Sequence, residues 1–127
     1  MRNLILGLLL IVSVNIIAIP LTSDIANALK TGNSTELANF MGPSIDLSLP
    51  DNEEMFSKTQ GTIILKTFFF KNKPSDFIVL NIGDAKNNTH YSIGTLDTVK
   101  GQFRVYILYK EVNNKTTILE LRIETDE

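Results

Sequence analysis

His90 and Tyr91 are neighbouring side chains that could carry out acid–base chemistry. His90 is the only histidine and there is no cysteine, so a Ser-His-acid triad would have to use His90, and multi-histidine or thiolate metal sites are excluded. His90 follows an Asn-rich turn, where an exposed strand-edge residue is expected. Tyr91 shares a strand face with Ile93, which favours a core aromatic with its hydroxyl at the rim. Since no carboxylate pair is spaced on an apolar face, we predict no catalytic residue, no metal and no cofactor.

A second group of residues is suited to recognition rather than catalysis. It lies on one face of the last two predicted strands and combines an aromatic ring, aliphatic side chains and both signs of charge. The candidate interface comprises Arg104, Tyr106, Leu108, Ile118, Glu120 and Arg122. Protein interfaces favour such a mixture, and an arginine on one copy could meet a glutamate on a two-fold-related copy. We expect a homodimer through this face; the alternative is that the arginines only pair with glutamates across strands.

Capping signals mark two short helices at the start of the domain. Thr22-Ser23 precedes an amphipathic stretch that ends at Gly32. Residues 33–36 are a second start, with the Asn33 side chain predicted to cap the Glu36 amide. This second helix is predicted to end at Gly42-Pro43.

The longest predicted helix spans residues 58–71 and follows a capping box at residues 57–60. Its apolar stripe contains Phe68 and Phe69 and needs a sheet or another helix to cover it. A strand is the alternative for part of this run, which is rich in β-branched and aromatic residues. With Tyr91, the two phenylalanines form the candidate pocket.

Alternation of apolar and polar residues predicts strands in the rest of the domain. Residues 45–49 predict a half-buried strand, and the polar residues 51–54 after it predict a loop. The almost continuously apolar residues 77–82 predict a strand covered on both faces. Short connections then link it to three further strands in an antiparallel meander. Those strands include residues 91–95, 103–109 and 119–123. We therefore predict an α+β domain, with helices covering one face of the sheet.

The N-terminal segment predicts export. Arg2 is followed by the predominantly apolar residues 4–19, which is the layout of a secretory signal peptide. We assign residues 1–23 to this signal and residues 24–127 to a single domain in the periplasm or outside the cell. The alternative is an uncleaved membrane anchor formed by residues 4–19.

Composition limits the partners of the domain. The chain has 127 residues and a formal net charge of −2, which makes it a poor electrostatic match to nucleic acid or to anionic lipid. We expect no nucleic-acid partner, and membrane contact only through the N-terminal segment if that segment is not cleaved.

Four groups of motifs occur in a fixed order along the domain. They are Ser57-Lys58-x-Gln60 with Ile64-Leu65-Lys66-x-Phe68-Phe69, then Tyr91-x-Ile93-Gly94-x-Leu96, Phe103-Arg104-Val105 and Glu120-Leu121-Arg122-Ile123. Over about residues 24–124 the set resembles a family of small exported bacterial proteins catalogued as a domain of unknown function. That family is similar in fold to the nuclear-transport-factor-two-like, cystatin-like superfamily. The resemblance implies a cone of curved antiparallel sheet wrapped on helices, and it carries over no functional residue because the family has no assigned activity.

Two classes of function remain open. The leading one is a non-catalytic exported domain that binds a protein partner or a small apolar ligand in the mouth of the cone, or that dimerises through its sheet. The alternative is a small isomerase or dehydratase that uses a cone pocket, as the resemblance implies, with Tyr91 acting together with His90 or an Asp. A pocket with at least two convergent polar groups would favour the enzyme.

Overall fold

The computed structural model describes residues 21–126. In chain order, the helices and strands are α1 Ser23–Thr31, α2 Ser34–Ala38, β1 Met41–Leu49, β2 Asn52–Ser57, α3 Lys58–Lys71, β3 Pro74–Asp84, β4 Thr89–Thr98, β5 Gly101–Val112 and β6 Lys115–Thr125. Most of the predicted signal segment, residues 1–20, lies outside the described residues. Within residues 21–126, no helix has the length and apolarity needed to span a membrane.

The strands form one six-stranded sheet in the order β2-β1-β6-β5-β4-β3. The meander from β3 to β6 is antiparallel, as predicted. Strand β1, for which no partner was predicted, joins the meander by pairing with β6 in parallel, so the sheet as a whole is mixed. A parallel pair needs a long crossover, and α3 together with the first three strands of the meander provides it. Helices packed on one side of this mixed sheet confirm the α+β class.

All three predicted helix starts are confirmed by their capping bonds. The Thr22 hydroxyl accepts a hydrogen bond from the Ile25 amide at 3.3 Å, and the Asn33 side chain accepts one from the Glu36 amide at 3.0 Å. At the start of α3, the Ser57 hydroxyl accepts a bond from the backbone N–H three residues later at 3.2 Å. These bonds satisfy amide groups that no helical carbonyl can reach.

The second helix is shorter than predicted, and β1 begins earlier. Helix α2 ends at Ala38, so Gly42-Pro43 lies inside a strand instead of terminating a helix. The Ile118 amide donates to the Phe40 carbonyl at 2.7 Å. The segment that was predicted to end the helix thus has its backbone hydrogen-bonded to β6 instead.

The predicted loop at residues 51–54 is a two-residue turn followed by strand β2. This strand lies at the edge of the sheet and pairs only with β1. Most of its residues are exposed, so it shows no alternation of buried and exposed positions. Hydrogen bonding to β1 and the packing of a single side chain, Phe56, against the core are enough to form it.

The predicted direction of side chains is wrong in β4. Ser92, Gly94 and Leu96 face the helices and the core, whereas Tyr91 and Ile93 point to the outer face of the sheet. A methyl group on Gly94 would lie 2.6 Å from the Ile78 carbonyl oxygen. This close approach explains why the inward position 94 is held by glycine.

The meander contains two further departures from the predicted pattern. A β-bulge at Leu119 shifts the alternation of β6, so Ile118 is fully buried instead of lying on the outer face. Strand β3 is an edge strand and is not covered on both faces: Ile78 is 51% and Leu80 is 66% exposed.

The predicted inner stripe of α3 is confirmed. Leu65, Phe68 and Phe69 are buried against the sheet, and Ile64 packs at the margin of the core. Gly61 allows the helix to approach β1 closely, because a Cβ at that position would lie 2.9 Å from Ile45 Cγ2. Phe68 is thereby held at one end of the sheet.

Candidate functional site

An open cleft of about 370 Å³ lies between α3 and one end of the sheet. Its wall is mainly apolar and consists of Leu49, Pro50, Ile63, Ile64, Phe68 and Phe103. Its polar groups come from Asp51, Asn52, Thr67, Lys71, Asn72 and Thr125. The space beside Phe68 is therefore partly hollow, which suits a small apolar guest.

Three phenylalanine rings fix the inner wall of the cleft. The Phe68 ring meets the Phe103 ring edge to face, with centroids 5.3 Å apart and an interplanar angle of 76°. On its other side Phe68 contacts Phe69 in a similar geometry at 5.7 Å. Both Phe68 and Phe103 are less than 10% exposed, so the wall is preformed by packing.

Some polar groups of the cleft already form hydrogen bonds within the protein, and others form no ion pair. The backbone and side-chain amides of Asn72 both donate to the Phe68 carbonyl, at 2.8 and 3.0 Å, and so close the end of α3. Lys71 and Asp51 are exposed, and neither has an ion pair among the described residues. The rim therefore offers one cationic and one anionic group to a ligand.

The structure separates the three residues of the predicted pocket. Phe68 lines the cleft, whereas Phe69 lines a shallower groove on the other side of α3, next to Phe70 and Pro74. Tyr91 lies on the opposite face of the sheet from both rings, so its assignment to the pocket is wrong. The physical reason is the inward packing of Ser92 and Gly94, which turns Tyr91 outward.

The outer face of the sheet has an ordered aromatic and charged centre. The Tyr91 and Tyr106 rings stack with centroids 6.1 Å apart and planes 21° apart. The Arg122 guanidinium carbon lies 5.6 Å from the Tyr106 centroid, and its Nη2 donates to Glu120 at 2.7 Å. Burial and the Glu120 charge raise the pKa of Tyr106, while Arg122 opposes the shift.

The other predicted interface residues are distributed differently. Leu108 is half-buried on the same outer face, opposite Glu120 in the strand register. Arg104 is exposed and forms a 3.5 Å ion pair with Asp126. Ile118 does not belong to the set, because the bulge places it in the core opposite Tyr109.

His90 belongs to a separate polar cluster on the inner side of the sheet. Its Nδ1 lies 2.7 Å from Asp84 Oδ1, and its side chain is only 12% exposed, which corrects the prediction of an exposed residue. Its ring lies 5.7 Å from that of Tyr109. Burial raises the pKa of Tyr109, and the Ser92 hydroxyl opposes this shift. Since Tyr91 and His90 occupy opposite faces of β4, the Tyr91–His90 pair considered for the alternative enzyme is not formed.

Comparison with known proteins places the chain in a family. Residues 22–124 match the family described as a domain of unknown function, DUF4783. The chain belongs to the DUF4783 family. Its structure is similar to the crystal structure of a DUF4783 protein from Bacteroides ovatus, with 34% identity and a TM-score of 0.75 over 87% of this chain and 98% of that chain. A DUF4783 protein from Bacteroides fragilis is 33% identical, with a TM-score of 0.75 over 84% of this chain and 100% of that chain.

More distant similarity identifies the fold. An NTF2-like protein of unknown function from Cytophaga hutchinsonii is 14% identical to this DUF4783 chain, with a TM-score of 0.57 over 81% of this chain and 84% of that chain. At this identity the likeness shows the fold alone, and it confirms the nuclear-transport-factor-two-like architecture. No curated protein matches the chain.

Sequence reasoning missed several residues of the cleft, above all Leu49 and Phe103. Both lie in segments predicted to be strands, but alternation does not reveal which end of the strands the helix leaves uncovered. Ile63 in the cleft and Phe70 in the neighbouring groove were also missed. The sequence offered a signal for both, because each is an apolar residue that lies off the predicted stripe of α3.

Proposed function

We propose that this DUF4783 protein is an exported, non-catalytic domain that binds a small apolar molecule in the cleft beside Phe68. The observation that carries the proposal is the open, mainly apolar cavity of about 370 Å³ with a preformed phenylalanine wall. Small-ligand sites combine such a wall with a few polar groups that orient the ligand, and their volumes begin at roughly 300 Å³.

The lining suggests the chemical class of the ligand. Leu49, Phe68 and Phe103 present hydrocarbon surface that suits a small ring system or a short acyl chain. The Lys71 ammonium and the Thr125 hydroxyl lie at the rim and can bind a carboxylate, sulfonate or hydroxyl. We infer an amphiphilic ligand with its apolar body inside and its polar end toward solvent.

The position of the acid–base cluster supports a non-catalytic role. Phe103 lies at one end of β5 and Tyr109 lies six residues along the strand, beside His90. At about 3.4 Å per residue, the two ends are roughly 20 Å apart. A ligand of the size that the cleft holds would not reach His90, so the groups most capable of proton transfer would not act on it.

Export is part of the proposal and concerns residues 1–20. Thr22 caps α1 and Leu21 is buried, so cleavage at or before Leu21 would leave the folded domain intact. We expect the mature protein to begin there. Mass measurement of the protein from the periplasm or medium would show this, and an intact Met1 on membrane-bound protein would support the anchor instead.

Binding of anilinonaphthalenesulfonate, an apolar ring system with an anionic group, provides a direct test of the cleft. We expect its fluorescence to rise on binding to the wild-type protein. Thr125→Phe should weaken binding about tenfold or more, because the ring would occupy the mouth of the cleft. Thr35→Phe, at an exposed position on α2, is the matched control and should have no effect.

Two outcomes would argue against the cleft as the binding site. One is equal affinity in wild type, Thr125→Phe and Thr35→Phe. The other is loss of binding in Phe70→Ser, since Phe70 lies outside the cleft and exposes 89% of its surface. If only the Phe70→Ser substitution weakened binding of the probe, the probe would be binding the outer side of α3.

A homodimer through the outer sheet face is the second candidate. It is favoured by the Tyr91–Tyr106 stack and by Arg122, whose position over Tyr106 holds the rings in place before any partner binds. Ordered tyrosine and arginine side chains lose little conformational entropy on association. This candidate does not compete with the cleft, because the two surfaces lie on opposite sides of the sheet.

A further inference from the structure

Helix α3 carries apolar side chains outside its buried stripe. Ile63 is 60% exposed and lines the cleft, whereas Phe70 is 89% exposed and lies in the groove on the other side of the helix. A helix that is apolar on more than one side is normally covered on each of them. Phe70 has no such cover among the described residues.

Positive charge gathers around Phe70. Lys66 and Lys73 line the same groove as Phe70. The Val99 amide donates to the Lys73 carbonyl at 3.0 Å, which brings the β4–β5 turn to the same place. That turn adds an apolar side chain that is 70% exposed, Val99, and a further lysine, Lys100. We call Lys66, Phe70, Lys73, Val99 and Lys100 the basic corner.

Nearby acids offset only part of this charge. Asp76 lies 4.0 Å from Lys30, which is outside the corner. Asp97 accepts a 2.8 Å hydrogen bond from the neutral Gln102 amide and keeps its negative charge, but the three lysines of the corner outnumber it. None of these lysines forms an ion pair with another described residue. The corner is therefore locally cationic on a chain whose formal net charge is −2.

We propose that the basic corner docks the domain onto the surface of an anionic lipid bilayer. Phe70 and Val99 are 89% and 70% exposed, and Phe70 shares its groove with Lys66 and Lys73, a combination that suits insertion between lipid headgroups. A protein partner is less well matched, since lysine is depleted in protein interfaces. Phosphate groups would meet the ammonium groups while the phenyl ring enters the hydrocarbon boundary.

The proposal departs from the expectation that the chain is a poor match to anionic lipid. That expectation used the net charge, which averages over the whole surface. Attraction to a surface depends on the charges within about a Debye length, roughly 8–10 Å, and in the basic corner these are positive. The proposal does not depend on whether the cleft holds a ligand.

Sedimentation with lipid vesicles tests the proposal on residues 21–127, which exclude the apolar N-terminal segment. All nine described elements lie within this span, and 98% of the Bacteroides ovatus chain aligns with the domain. We expect binding to vesicles that contain phosphatidylglycerol, little binding to pure phosphatidylcholine, and release by added salt. Lys66→Gln with Lys73→Gln should weaken binding about tenfold or more, and Phe70→Ser should weaken it several-fold.

Matched controls distinguish binding through the basic corner from non-specific binding to vesicles. Lys110→Gln with Lys115→Gln removes two exposed lysines elsewhere, and Leu80→Ser removes an exposed apolar side chain from the edge strand β3. Both should bind vesicles as the wild type does. Equal binding to the two lipids, equal losses in test and control variants, or self-association that Phe70→Ser abolishes without vesicles would overturn the proposal.

Discussion

Phe68 and Phe70 have opposite environments in α3, because the helix turns about 100° per residue and so places them on opposite sides. Phe68 packs edge to face against Phe103 and lines the cleft, whereas Phe70 exposes 89% of its surface to solvent. The same side chain therefore contributes to stability at one position and to surface chemistry at the other. Identity alone does not distinguish these roles, but position relative to the buried stripe does.

The contrast predicts different costs for the same substitution. Phe68→Ala should lower the free energy of unfolding by about 3–5 kcal/mol, because it removes a buried ring and leaves a cavity. Phe70→Ala should change it by less than about 0.5 kcal/mol, since little buried surface is lost. Midpoints of urea denaturation measure both. If the two variants unfolded at similar urea concentrations, the orientation of α3 would be wrong.

Buried residues that alternate regularly were predictable from the sequence, and residues in irregular positions were not. The inward set of β5, including Phe103, was correct because that strand alternates without interruption. Tyr91 was misplaced because its strand carries small residues inward, and Ile118 was misplaced because Leu119 inserts a bulge. The first failure is one of phase, since β4 alternates regularly but with its larger side chains outward around Tyr91. The second is a local exception to the two-residue period of strands.

At the scale of elements, Gly94 sets how closely β3 approaches β4. A Cβ there would lie 2.6 Å from the Ile78 carbonyl oxygen and 2.7 Å from the Phe77 ring. The first of these atoms is backbone and cannot rotate away. The edge strand is thus held at a distance that only glycine permits.

Gly94→Ala should destabilise the protein by roughly 1–3 kcal/mol through overpacking and should loosen β3 first. Hydrogen exchange of the β3 amides should accelerate more than exchange in β5 and β6. Gly42→Ala is the matched control in β1, where the new methyl would meet only ordinary contacts at 3.7 and 3.9 Å. Equal stability of the two variants would contradict the tight approach.

Elements with strong local signals were correctly predicted. The three capping sites located the helix starts, and α3 spans residues 58–71 as expected. Strand β2 was missed because its largely exposed edge position imposes no alternation. The parallel β1–β6 pair was also missed, since local sequence does not encode which distant strand a segment will join. The position of the cleft depends on that pairing, so it could not be predicted either.

The cleft and the outer face, the two candidate recognition surfaces of the proposed function, lie on opposite sides of one sheet. The cleft opens beside α3, and the Tyr91–Tyr106 pair lies on the outer face. Dimerisation through the outer face would leave both clefts accessible. Ligand binding and association would then be independent, because neither surface would occlude the other.

The substitution Tyr106→Glu tests whether the domain forms a homodimer through the outer sheet face. We expect the wild-type domain to sediment as a dimer at micromolar concentration and the variant to sediment as a monomer, because the substitution would bury a charge beside Glu120. Thr35→Glu adds the same charge on α2 and should remain dimeric. A monomeric wild type would refute the dimer, and a dimeric Tyr106→Glu variant would move the interface elsewhere.

The third strand of the sheet, counted from the β2 edge, is β6, the last strand in the sequence. Leu47 pairs with Leu121, 74 residues later, so the β1–β2 hairpin cannot join the meander until residues 115–125 have been synthesised. Non-local closure of this kind makes folding slow compared with helical proteins of similar size. The ribosome must therefore extend the chain through β6 before this sheet can close, and until then the β1–β2 hairpin and the strands before β6 cannot form one sheet.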